Sequence, residues 1–198
     1  MNLSHPIAAV SPSLTGYVLE VLAGTTRPLT GRQITRLLRK EPGSHRGVQL
    51  VLDALAEQGV VRQLEAGTTI LNALNPDHIL TPLIRELAEV KWRIIPAIGD
   101  IVREEAPKAQ RVILFGSVAR GEADEHSDVD LLIVWPDDVE DPVRSECSAV
   151  ISRRVKALLG NQCNVLHYSV DEYSSLETDA PALAENLEKD GIDLLAEG

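Results

Sequence analysis

Cysteine is almost missing from this chain: Cys147 and Cys163 are its two, and they do not share a CxxC spacing. That excludes a disulfide-stapled scaffold and a cysteine zinc site, and it predicts a reducing, cytoplasmic setting. Aromatic residues make up only 3% of the sequence and do not cluster, so Trp92 and Trp135 read as core fillers rather than base-stacking platforms. No apolar run approaches the roughly 18 residues of a membrane span. The start, MNLSHPIAAVSPS, lacks the basic flank and apolar core of a signal peptide, and the expectation is a chain with no membrane partner. Gly/Ser-rich linkers, internal repeats and low-complexity segments are absent as well. What remains is ordinary globular material, 44% hydrophobic and 25% charged. A length of 198 residues holds one medium domain or two small ones.

Positive charge is scarce overall, with a net charge of −11, which taken alone argues against a nucleic-acid partner. The charge is unevenly spread. Residues 1–78 carry seven Lys/Arg against six Asp/Glu, whereas residues 79–198 carry twelve against twenty-four. Between residues 27 and 46 there are six basic side chains and a single acid, Glu41. The average therefore conceals two different halves.

The first twelve residues read as a loose tail. Leu14, Val18, Val21 and Leu22 then fall at helical spacing, with Gly24 as a stop. Thr30 followed three residues on by Gln33 is a capping-box pattern, opening a second helix with Ile34, Leu37 and Leu38 on its apolar face. The sequence EPGS breaks that helix, and Ser44 is placed to cap a third, lined by Val48, Val51, Leu52 and Leu55 and ended by Gly59. Two β-prone runs around Glu65-Ala66-Gly67 form a hairpin. Three short helices and a hairpin are the layout of a winged helix-turn-helix. After Asn75-Pro76 a long helical stretch runs over residues 79–105, in which Pro82 suits the first turn and Pro96 predicts a kink or a split. Beyond it, strands at residues 111–115, 128–135 and 164–168 surround a helix near residues 144–159 and precede a helical C-terminus. The predicted class is α+β or α/β with a short mixed sheet.

One segment, FGSVARGEADEHSDVDLLIVW, concentrates the chemistry. Gly116 at a strand end permits a sharp turn and a close backbone approach. Ser117 can open a helix whose free N–H groups attract phosphates, and Arg120, one turn on, can add a positive charge. Asp128 and Asp130 are two apart on a strand, so both carboxylates face the same way, about 7 Å apart. Hard oxygen ligands of this kind suit magnesium, which also binds substrate phosphates. Two charges at the start of an apolar strand are costly unless paired or metal-bound.

Gly-Ser, ten residues, then Asp-x-Asp resembles the signature of the polymerase-β-like nucleotidyltransferase superfamily. The local form is most similar to the minimal nucleotidyltransferases of bacteria and archaea. The resemblance covers about residues 85–198 and is densest over 115–134. It implies that Gly116 and Ser117 hold the triphosphate of an NTP, ATP above all, with Arg120 beside them. It also implies that Asp128 and Asp130 bind Mg2+ for attack on the α-phosphate. The acceptor in that family is a hydroxyl, often of a partner toxin protein and sometimes of a small molecule. One departure stands out. The family places a third carboxylate on the following strand, and here that strand, GNQCNVLHYSV, has no Asp or Glu; Asn164 occupies the expected position. An amide oxygen brings no charge and is a poor base. Asp124, Glu125 and Asp171 are alternative sources of a carboxylate.

Residues 14–75 resemble the winged-helix regulators of bacteria. In that fold the third helix enters the major groove, which implies base contacts by His45, Arg46 and Gln49, and phosphate or wing contacts by Arg32, Arg36 and Arg62. Such regulators commonly pair on palindromic sites, so a homodimer is a further expectation. The division is then 1–78 for a winged helix-turn-helix DNA-binding domain, 79–106 for a helical connector and 107–198 for a nucleotidyltransferase domain. Two functions stay open: a DNA-bound enzyme that transfers nucleotides to a hydroxyl, or a regulator that senses nucleotide without catalysis, which Asn164 favours. The bland alternatives are a docking module with a merely solvated basic face, an exposed acidic loop at residues 122–125, surface or structural roles for His126 and His167, an inert Cys147, and an Arg120 that braces its loop.

Overall fold

A computed structural model of the chain describes residues 1–38 and 43–196. They form two compact units, His5–Lys91 and Met1–Ser4 with Trp92–Gly198.

In the unit His5–Lys91, helix α1 (Leu14–Ala23) is followed by a two-residue strand β1 (Leu29–Thr30), α2 (Gly31–Leu37) and α3 (His45–Glu57). The capping box forms as its spacing predicts: Thr30 Oγ1 accepts from the Gln33 N–H at 3.2 Å while Gln33 Oε1 accepts from the Thr30 N–H at 2.8 Å. Losing such a cap typically costs about 1 kcal/mol. Ser44 caps α3 by accepting from the Gly47 N–H at 3.1 Å. Strands β2 (Val61–Ala66) and β3 (Thr69–Leu74) make the hairpin, turning at Gly67, whose φ of 64° is left-handed. Their sheet has the order β1-β3-β2. Val18, Leu22, Ile34, Val48, Leu52, Val60 and Leu74 fill the core between helices and sheet. Of the basic stretch and the EPGS break, residues 39–42 lie outside the described residues.

The N-terminal segment departs from the sequence expectation of a loose tail. Leu3 and Ile7 are buried, residues Pro6–Ala9 form a 3-10 turn, and the Ser4 N–H donates to the Ala123 carbonyl at 3.0 Å. The terminal ammonium donates to Asn161 Oδ1 at 2.9 Å. Two apolar side chains with places in a core outweigh the weak local propensity of the segment. The division between units falls within α4 (Thr81–Glu105), which runs unbroken through Pro96. Of the expected kink or split, the split does not occur: proline removes one bond, to the Trp92 carbonyl, while Ile94, Ile98, Ile101 and Val102 on the same helix are anchored in a core. Trp92 also departs from expectation. It is 73% exposed because it lies off that apolar stripe, whereas Trp135 is buried as predicted.

In the second unit a four-stranded mixed sheet has the order β6-β5-β4-β7, from β4 (Arg111–Phe115), β5 (Val129–Trp135), β6 (Cys163–Ser169) and β7 (Ile192–Asp193). Only β5 and β6 are parallel. Their crossover is α6 (Asp141–Leu159), ended by Gly160 at φ 79°. Period-two alternation divides the strands between two cores. Val129, Leu131, Ile133 and Trp135 pack with α4 and α6 residues on one face. Leu132 and Val134, with Ile113, meet Leu176 and Leu187 on the other. That second face is covered by the short helices α7 (Val170–Ser174), α8 (Leu176–Asp179) and α9 (Pro181–Asp190). The remaining element is a four-residue turn, α5 (Gly116–Ala119).

Candidate active site

Local sequence places Gly116 where β4 ends and the chain turns back. Its φ is 76°, in the region that disfavours side chains, and a Cβ there would lie 2.7 Å from Asp130 Oδ2. The reason is register: Phe115 pairs with Asp130 across the antiparallel β4–β5 ladder, so the turn passes directly over that carboxylate. Ser117 follows, half-buried, and its hydroxyl has no partner among the described residues; its carbonyl accepts from the Glu122 N–H at 2.9 Å. Asp128 is exposed and Asp130 half-buried. Asp130 shares its face with Leu132 and Val134, the face opposite the α4–α6 core.

The parallel pairing of β5 with β6 brings Asn164 to the same place. Asn164 lies in register with Asp130. Its amide nitrogen donates to Asp130 Oδ1 at 3.0 Å and to Asp128 Oδ2 at 3.3 Å. The opposite amide orientation would set three oxygens against each other, so the donor orientation is the one the two carboxylates require. Just beneath, on the other face, the buried Cys163 thiol is pushed up to about 12, first by burial and then by the charges of Asp130 and Asp128. It stays protonated and is no nucleophile.

The site's donors for a divalent cation are thus the two carboxylates of Asp128 and Asp130, with the Asn164 amide nitrogen turned toward them. They are hard oxygen ligands, the kind magnesium takes alongside substrate phosphates. Among the described residues no group of three His, Cys, Asp or Glu side chains could hold a metal, and the alternative carboxylates do not fill the gap. Asp124 accepts from the Ser127 hydroxyl at 2.8 Å and the His126 N–H at 2.9 Å, bonds that hold its carboxyl below the usual range. Glu125 is exposed in the same loop, and Asp171 sits on α7 with its N–H on Asp137 Oδ1.

Arg120 is engaged with carboxylates. Nε lies 3.1 Å from Glu122 and Nη1 3.1 Å from Asp190, and these bonds raise the guanidinium above its ordinary value. These bonds occupy two of the guanidinium's five N–H donors. His126 is exposed, and His167 bridges Ser148 at 3.2 Å and Asp141 at 3.3 Å. Cys147 lies half-buried in α6, its thiol raised first by burial. A cavity of about 800 Å3 opens at the far end of β4, lined by Arg111, Tyr173, Glu185 and Asp193 among others. None of Gly116, Ser117, Asp128, Asp130 and Asn164 lines it, so the site is defined by its side chains and not by this cavity.

The nucleotidyltransferase domain family model matches residues 95–193, half of the chain and the whole of this constellation. The chain belongs to the nucleotidyltransferase domain family. Solved structures similar to it include a toxin–antitoxin with AMP-PNP, at 20% identity and a TM-score of 0.39, covering 52% of this chain and 73% of that one. A tri-AMPylated HEPN toxin in complex with MNT antitoxin from Shewanella oneidensis matches at 18% and 0.36, covering 54% and 72%. A minimal nucleotidyltransferase matches at 27% and 0.37, covering 52% and 92%. No curated protein matches the chain.

In the other unit the six DNA-contact candidates stand as follows. His45 and Arg46 open α3 and are exposed, as are Arg32 and Arg36 on α2. Arg32, Arg36 and Arg46 have no ion pair among the described residues. His45 Nδ1 lies 3.4 Å from Thr35 Oγ1. Gln49 donates to Asp53 Oδ1 at 2.8 Å, and Gln63 on β2 donates to the same oxygen at 3.0 Å. Arg62 is ion-paired with Asp77.

Proposed function

We propose that this protein is a magnesium-dependent nucleotidyltransferase that moves a nucleotide from an NTP, ATP first, to a hydroxyl acceptor. The acceptor class suggested by the sequence resemblance is a partner protein such as a toxin, or a small molecule. The observation that carries the reading is the constellation itself: Gly116 packed over Asp130, Asp128 on the same face, and Ser117 with a hydroxyl unpartnered among the described residues, all inside a matched family domain. Asp128 and Asp130 would hold the cation, which when bound neutralises phosphate charge. Gly116 keeps the loop thin enough for a phosphate to approach the backbone, and Ser117 donates to a phosphate oxygen. The acidic surroundings repel a free NTP, so its attraction comes from these local donors and from the charge it brings with its own cation. Incubation with labelled ATP, magnesium and cell extract tests the reading. The expected result is label transfer that is lost in Asp128→Ala.

A second reading has its own observation. Asn164 supplies neither charge nor a base where the family has a carboxylate. On that reading the site binds nucleotide without turnover and signals to the other unit. Saturable ATP binding that alters a DNA gel shift, with no label transfer, would establish it in place of the enzyme.

In both readings the unit His5–Lys91 is a winged helix-turn-helix, read from its three helices and hairpin, with α3 entering the major groove. His45, Arg46 and Gln49 would meet bases; Arg32, Arg36 and Arg62 would meet phosphates, Arg62 by leaving Asp77. Pairing of two copies on a palindromic site follows from the same reading. The domain limits 1–78, 79–106 and 107–198 stand as part of the proposal.

A further inference from the structure

The carboxylates of Asp128 and Asp130 have no cationic partner among the described residues; the guanidinium of Arg120 pairs with Glu122 and Asp190. The side-chain donor both of them share is the Asn164 amide. An amide carries its two N–H donors at one end and its oxygen at the other. While its nitrogen faces the carboxylates, Asn164 cannot also present its oxygen to a cation between them. The cation and the amide therefore compete for Asp128 Oδ2 and Asp130 Oδ1, the oxygens that the amide nitrogen occupies.

We infer that Asn164 is a clamp on the cation site: it holds Asp128 and Asp130 in the cation-free protein and must rotate or withdraw before a divalent cation binds. This rests on the proposed role of the two aspartates, and it deepens that reading by naming what limits their occupation. A carboxylate at the same place would behave oppositely. It would add a third negative charge, repelling its neighbours when the site is empty and attracting the cation when it fills. Asn164 thus trades cation affinity for a site that is stable while empty. It is a positioning residue, since the geometry has it act on the two carboxylates and not on substrate.

Clamp and ligand predict opposite signs for one substitution. Removing a clamp frees the carboxylates, so Asn164→Ala tightens cation binding; removing an amide ligand weakens it. The measurement is a titration of the full chain with Mn2+, with no nucleotide present, followed by the electron paramagnetic resonance of the free ion. Asn164→Ala is expected to lower the dissociation constant about tenfold, equivalent to about 1.4 kcal/mol. Asn164→Asp is expected to lower it further. Thermal melting supplies a second readout. Without divalent cations both variants melt below the parent protein, and with saturating Mn2+ the Asp variant gains more than the parent does. Asn164 is exposed, so neither substitution opens a core. Asp128→Ala, which removes a ligand, abolishes the tightening.

If Asn164→Ala binds Mn2+ as weakly as the parent or more weakly, the clamp is wrong. The same holds if no variant binds at all. Label transfer from ATP in the unsubstituted protein is a separate measurement, so failure of the clamp and failure of the nucleotidyltransferase reading are distinguishable.

Discussion

Replacing Gly116 by alanine should damage the site through two separable effects. The first is conformational. Gly116 has φ 76°, and an L-residue in the left-handed region costs about 1–2 kcal/mol. At about 2–4 °C per kcal/mol for a chain of this size, the melting temperature should fall by about 2–8 °C. The second is steric. The new Cβ would sit 2.7 Å from Asp130 Oδ2, where ordinary contact begins at 3.4 Å, so the carboxylate must retreat by about 0.7 Å. A displacement of that order at a reacting centre can reduce turnover about a hundredfold. Gly121 separates the effects: its φ is 67° but a Cβ there meets nothing within 4 Å. Gly121→Ala should show the same melting loss while label transfer from ATP is nearly unchanged. Equal transfer by Gly116→Ala and Gly121→Ala would refute the claim that Asp130 must lie against the turn. Unchanged melting in both would refute the strain argument.

Other expectations are independent of that turn. In the DNA-binding reading, gel-shift affinity should fall steeply with salt; Arg46→Ala should weaken it by about 1–3 kcal/mol if Arg46 meets a base, and an unaffected shift would exclude α3 as the reading helix. The Cys163 thiol, pushed up to about 12 from an ordinary 9.0, keeps its proton in the fold after the unfolded chain has lost it. Its contribution to stability is therefore complete below pH 9 and is lost as pH rises from 9 towards 12. The melting temperature should decline over that window, and Cys163→Ala should flatten the decline. Iodoacetamide at pH 8 should label Cys163 only after urea is added, and rapid labelling of the native protein would contradict its burial.

Much of the fold was legible because its signals are local. The Thr30–Gln33 box, the Ser44 cap, the hairpin around Gly67 and the apolar run of β5 each depend on residues a few positions apart, and each formed where its pattern indicates. The pairing of Asp128 and Asp130 on one side of the sheet was equally readable, since a strand alternates every residue. The failures share the opposite character. The buried N-terminal segment and the added strand β7 against β4 both depend on partners distant in the chain. Local propensity at those places is weak or adverse, and tertiary packing overrides it. Trp92 shows the converse: a large aromatic was expected inside, yet its place on the helix turns it away from the apolar stripe.

The sequence by itself determined the chemical vocabulary of this protein: a glycine turn, a hydroxyl, two carboxylates on one strand face, and an amide on a following strand. These follow from residue identity and from the short periods of helix and strand. Tertiary structure alone decided how the groups are used. Asn164 bonds to Asp130 across 34 residues because β5 and β6 pair in parallel register. Arg120 is drawn to Asp190 across 70 residues because the segments that carry them pack together. Hydrogen bonds and ion pairs act only over a few ångströms, so which donor meets which carboxylate is settled by chain packing that no local pattern encodes.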